Sequence, residues 1–138
     1  MTKKWIVLLL LFFFSATVAA DDSDILKIVD GNARMWLGLI DDAKYQESWE
    51  NASPLFKSKK AEAEWIKTIT AIRSPRGAMT ARYIATAGTA KSLPELPDGE
   101  YVVLQFYTTF AQKGLSMETV TLAKTTDNTW QIADYTLK

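Results

Sequence analysis

Three arginines, Arg73, Arg76 and Arg82, gather around the proline–glycine segment Arg73-Ser74-Pro75-Arg76-Gly77. A guanidinium presents paired donors, so such a group suits the clamping of a carboxylate or phosphate. The structural alternative is that Arg73 and Arg76 satisfy carbonyls at a helix end or pair with nearby acids. Glu118 stands two residues before Val120 and four before Leu122, so in a strand it shares their face. If that face is the inner one, the carboxylate needs a cation, and Arg82 is a candidate partner. The competing reading makes Glu118 a pocket acid, with Arg82 as its electrostatic partner. Asp41 and Asp134 are further carboxylates able to act as acid or base. Asp41-Asp42 close a helical run and read as caps of the next helix rather than as a metal site.

Trp36, Tyr45, Trp49 and Trp65 either line an aromatic ligand cavity or form core, since aromatics at helical spacing serve both ends. The candidate ligand-binding residues are therefore Trp36, Trp49 and Trp65, with Arg73 from the arginine group. The chain has 138 residues, 16 Lys+Arg, 16 Asp+Glu, no His and no Cys. Disulfides, thiolate nucleophiles and Cys-ligated zinc are excluded, and the commonest metal ligand and general base is missing. No phosphate-cradling glycine loop or nucleophile elbow is present. No cofactor and no metal are expected.

These residues must be positioned by one domain, since the length suffices for a real core but not for two. Lys3 and Lys4 precede ten apolar residues, Trp5 to Phe14, and then Ser15-Ala16-Thr17-Val18-Ala19-Ala20. That pattern predicts a secretory signal cut after Ala20, with Ala19 as an alternative, and ten apolar residues are too few to span a bilayer. The expected layout is a leader over 1–20 and a single domain over 21–138, periplasmic or secreted, with no anchor after cleavage. The remaining 118 residues carry 14 basic and 16 acidic side chains. Such a balance supplies no broad basic field for nucleic acid.

The first half reads helical. Ser23 is the expected cap of a helix with Ile25, Ile28, Val29, Trp36, Leu39 and Ile40 on one stripe. A shorter segment, Ala43 to Ala52, is broken by Ser53-Pro54. Ser58 is the expected cap of a third helix, with Ala61, Trp65, Ile69 and Ile72 on its face. The second half switches to period two, with strands expected over Ala78–Ala87, Tyr101–Phe110, Leu115–Lys124 and Trp130–Leu137. Gly88 to Gly99 reads as a loop. Helices followed by hairpin-connected strands predict an α+β fold with helices on one face of an antiparallel sheet. Tyr101, Val103 and Tyr107 face away from Val102, Leu104 and Phe106. Both sheet faces therefore carry large groups, and the second face is a candidate surface for a homodimer or an envelope protein partner.

Order and spacing then resemble a known family. The residues are Trp36-x-x-x-Ile40-Asp41, Tyr45-x-x-x-Trp49, Trp65, Arg73-x-Pro75-x-Gly77 and Arg82. Leu93-Pro94-x-Leu96-Pro97-Asp98-Gly99-x-Tyr101, Phe110, Glu118-Thr119-Val120, Trp130 and Tyr135 complete the set. Together they resemble small secreted bacterial proteins known only as a domain of unknown function. The resemblance implies a helices-then-strands roll, similar in layout to nuclear-transport-factor-two-like or cystatin-like folds, with a curved sheet wrapping a helix. It implies no catalytic residues. Two functions follow as expectations: a non-enzymatic ligand-binding or assembly module, or a hydrolase or isomerase using a pocket carboxylate with an Arg partner.

Overall fold

A computed structural model describes residues 22–138; the expected leader, residues 1–20, lies outside the described residues. Four helices precede four strands: α1 (Asp22–Asp41), α2 (Tyr45–Glu50), α3 (Pro54–Lys59), α4 (Glu62–Arg73), then β1 (Met79–Ala90), β2 (Tyr101–Phe110), β3 (Gly114–Lys124) and β4 (Trp130–Leu137). A single 3₁₀ turn, Ser74–Arg76, ends the helical half. The strands form one open antiparallel sheet in the order β1-β2-β3-β4. The α+β expectation therefore holds.

Helix α1 buries Val29, Ala33, Trp36, Leu37 and Ile40, a stripe at helical spacing. Ile28, expected on that stripe, is instead 52% exposed; a turn of 3.6 residues places it on the far side of Ala33 and Leu37. Ser23 lies within the first turn rather than before it. The helix ends where Lys44 N–H returns to Leu39 O at 2.8 Å and Ala43 adopts φ +57°, a left-handed stop made without glycine.

An additional helix, α3, precedes the expected third one, which is α4. Ser53-Pro54, expected as a break, is a start: Ser53 Oγ accepts from Phe56 N–H at 3.1 Å and Pro54 occupies the first turn, where its missing N–H costs nothing. Ser58 consequently lies inside α3. Lys60 and Ala61 are extended, and α4 then buries Trp65, Ile69 and Arg73, with Ala61 exposed and Ile72 half-buried. Strand β1 runs three residues beyond the expected end because Gly88, Thr89 and Ala90 still pair with Val103, Val102 and Tyr101.

On the inner sheet face Val102, Leu104, Phe106, Val120, Leu122 and Ile132 pack with the buried stripes of the helices in one core. Removing such surface from water supplies the main driving force, about 1.5–3 kcal/mol per large side chain. Trp36, Phe56, Trp65 and Tyr135 interlock with ring centroids 5.0–6.3 Å apart, mostly edge to face. The outer face is divided. At one end the β1–β2 loop is tied down, with Tyr101 hydroxyl donating to Pro97 O and Lys59 ammonium to Glu95 O. Tyr101 and Thr121 are buried at this end. The other end is open.

Candidate functional site

Two pairing registers place the chemistry. Arg82 pairs with Thr108 and Thr108 with Ser116; two residues along, Ile84 pairs with Phe106 and Phe106 with Glu118 on the same face. The helices supply Asp41 from the last residue of α1 and Arg73 from the last residue of α4. The 3₁₀ turn and Gly77 then carry the chain into β1. Gly77 has φ +73°, and a Cβ there would stand 2.7 Å from Gln112 Cγ, so only glycine fits the turn. The hairpin end is docked on it by Gln112 N–H to Arg76 O at 2.9 Å and Ala111 N–H to Ala78 O at 2.8 Å.

Arg82 is the hub. Its Nε donates to Glu118 Oε1 at 2.7 Å, and its Nη1 and Nη2 donate to Asp41 Oδ2 and Oδ1 at 2.7 and 3.0 Å. Glu118 is fully buried and also accepts from Thr108 Oγ1 and Tyr135 Oη, each at 2.5 Å. Arg73 Nη1 lies 3.0 Å from Asp41 Oδ1, close but not aligned as a hydrogen bond. Its guanidinium stacks 4.6 Å from the Phe110 ring centre. The two cations and two carboxylates balance. Burial opposes the Arg82 charge, but hydrogen bonds and attraction from Asp41 and Glu118 overcome it and raise the pKa above the ordinary arginine value. Burial, reinforced by the neighbouring Glu118 charge and hydrogen bond, holds the Tyr135 hydroxyl neutral well above the usual tyrosine range.

The three arginines do not all converge. Arg73 and Arg82 meet on Asp41, whereas Arg76 Nη1 donates to Ile72 O at 2.6 Å at the end of α4. Asp41 caps no helix, contrary to expectation: the residue before α2 is Lys44, which makes no side-chain cap, because two guanidiniums hold the carboxylate. Asp42 is exposed. Asp134 pairs with Lys60 Nζ at 2.7 Å, away from the hub. The aromatic candidates are mostly core: Trp36 Nε1–H goes to Ser48 O and Trp65 Nε1–H to Ser48 Oγ, at 2.7 and 2.9 Å. Trp49 Nε1–H reaches Lys60 O at 2.7 Å from a half-buried position.

Sequence reasoning named the second sheet face as a candidate surface through Tyr101, Val103 and Tyr107 but did not assemble its open half. There the register aligns Tyr83, Tyr107 and Met117 in one row and Ala81, Thr109 and Leu115 in the next. Tyr83 is 69%, Tyr107 47% and Leu115 68% exposed. The signal was available in the odd positions of β1, β2 and β3, once the pairing is known. Among the described residues no group of three or more metal-ligating side chains occurs, and no helix is long and apolar enough to cross a membrane.

A helical layer on a four-stranded antiparallel sheet, with a self-neutralising ion network between them, defines the class. The chain belongs to the family described as "Protein of unknown function (DUF4019)", which matches residues 32–135. It is similar in fold to a chain from Catenulispora acidiphila solved at 2.5 Å, at 12% identity and a TM-score of 0.52, covering 85% of this chain and 92% of that one. No curated protein matches it.

Proposed function

We propose that this chain is a periplasmic or secreted, non-enzymatic assembly module that pairs with a second copy of itself through the open half of its outer sheet face. The observation that carries the reading is the aligned row Tyr83–Tyr107–Met117, with both tyrosines exposed and Met117 half-buried, and the exposed Leu115 beside it. Apolar groups aligned over three strands are the usual mark of an interaction surface. Around them stand the uncharged Ala81, Thr86, Gln105, Thr109 and Thr119, and one charged side chain, Lys138, stands opposite Met117 at the margin of the patch. Tyrosine contributes contact area at low entropic cost. Among the described residues strand β1 is a sheet edge, and its register slips twice, between Met79 and Ala81 and between Ile84 and Thr86. Such irregularities oppose edge-to-edge pairing, which favours contact by the face.

The non-enzymatic part of the reading is supported by the ion network. Glu118, Arg82 and Asp41 are spent on one another, and Glu118 has no access to solvent. Secretion is supported by the leader pattern of residues 3–20. The row spans only three strands, about 10 Å between the first and third, so the contact belongs to the small class and the affinity to the micromolar range. Sedimentation across about 1–200 μM is the test. A dimer that Tyr107→Lys abolishes is expected; a wild-type chain monomeric throughout overturns the reading.

A further inference from the structure

A cleft of about 460 Å³ opens between α1, the end of α2 and the β3–β4 turn, on the helix-covered side of the sheet, whereas the proposed dimer contact lies on its outer face. Helix α1 contributes Asn32, Met35, Trp36 and Leu39 at spacings of three, one and three, one continuous face. Trp36 and Leu39 give an apolar floor, and Trp130 gives a half-buried aromatic wall. Its size suits a ligand of two rings.

Its polar groups narrow the chemistry. No Lys or Arg lines the cleft, so a phosphate or carboxylate ligand would find no counter-charge. Asn51 donates its amide to Glu47 O at 2.8 Å, leaving its carbonyl oxygen as an acceptor. The Gln131 amide and the Trp130 indole N–H make no hydrogen bond among the described residues, leaving donors. Asp127 accepts at Oδ1 from the Thr125 and Thr129 hydroxyls and its carboxylate is also held by backbone N–H groups of the turn, yet it is exposed at the cleft rim and a carboxylate has lone pairs for a further donor. The turn is locked by Thr125 N–H to Thr129 O at 2.7 Å and Asn128 N–H to Thr125 O at 3.0 Å, so Asp127 is fixed before any ligand arrives. A purely apolar ligand would strand these donors and acceptors. A neutral ring with hydroxyls at its rim and C–H groups on its face satisfies all of them.

We propose that this cleft binds a neutral sugar, the pyranose face on Trp130 and its hydroxyls shared among Asp127, Asn51 and Gln131. This site is independent of self-association, and Tyr107→Lys is expected to leave it intact.

The test is calorimetric and fluorescence titration of the purified protein with cellobiose and N,N′-diacetylchitobiose, two β-linked neutral disaccharides. Saturable binding of either sugar with a change in tryptophan emission is expected. Gln131→Ala and Asn51→Ala, both at solvent-reachable positions, are expected to weaken it by about 3- to 10-fold each, and Trp130→Ala to remove it. Should Trp130→Ala fail to fold, the other two carry the test. Absence of saturable binding to both sugars up to about 10 mM, or binding that survives Gln131→Ala and Asn51→Ala unchanged, overturns the assignment.

Discussion

Opposite faces of the same three strands show an inversion. Near the β2–β3 hairpin the inner face carries Arg82, Thr108, Ser116 and Glu118, while the outer face carries Tyr83, Tyr107, Met117 and Leu115. Toward the other end the inner face returns to Leu104, Val102, Val120 and Leu122. A buried charge must find its partners within the chain, because nothing outside can reach it. An exposed apolar row is under no such rule and remains available to something outside. The inner set is closed by residues 41 and 73 arriving from two helix ends; among the described residues nothing covers the outer set.

Breaking the inner set is expected to have the largest effect. Arg82→Ala leaves Glu118 buried with only two hydroxyl donors, and Glu118→Ala deprives Arg82 of one of its two carboxylates. Each is expected to cost about 3–5 kcal/mol in denaturant unfolding. The pair Arg82→Met with Glu118→Leu leaves Asp41 with Arg73 and keeps the charge balanced, so it is expected to be less destabilised than either single variant. A double variant as unstable as the sum of the singles would show that the network is not the unit described here.

Tyr135→Phe sharpens the same point. Loss of the hydroxyl donated to Glu118 is expected to cost about 1.5–3 kcal/mol at neutral pH. The Tyr135 pKa is raised on folding, so the unfolded chain releases this proton first. Above the unfolded value of about 10 the unfolded state binds fewer protons, and the stability from neutral Tyr135 falls as pH rises. Unfolding followed from pH 8 to 11 is therefore expected to show a steeper alkaline loss in the wild-type than in Tyr135→Phe. Equal slopes would contradict the burial of the phenol.

Much of the inner set was legible because period two ties a residue to a face without any knowledge of partners: Glu118 had to lie with Val120 and Leu122, and Arg82 was a reasonable counter-ion. Asp41 was not legible as its second partner. The contact joins residues 41 apart through the packing of a helix end on an edge strand, and the same doublet read equally well as a cap. The helix boundary at Lys60-Ala61 was hidden because no proline or glycine marks it, and Ser53-Pro54 serves as a stop and as a start with the same two residues. The open row was half legible. Each strand showed its outward aromatic or Met, but only the register Tyr83–Tyr107–Met117 shows that they form one surface.

The smallest expected effect comes from the outer set, and it completes the comparison. Tyr83→Ser and Tyr107→Ser remove exposed rings whose loss leaves no cavity and strands no polar group, so each is expected to change monomer stability by less than about 0.5 kcal/mol. Denaturation at a concentration low enough to dissociate any dimer checks this. A loss above about 1.5 kcal/mol would mean that the cross-strand pair Tyr83–Tyr107 contributes more than such pairs ordinarily do, and that the row belongs to the fold rather than to a partner. With stability unchanged and self-association lost, the two faces separate cleanly: one holds the chain together, and the other holds two chains.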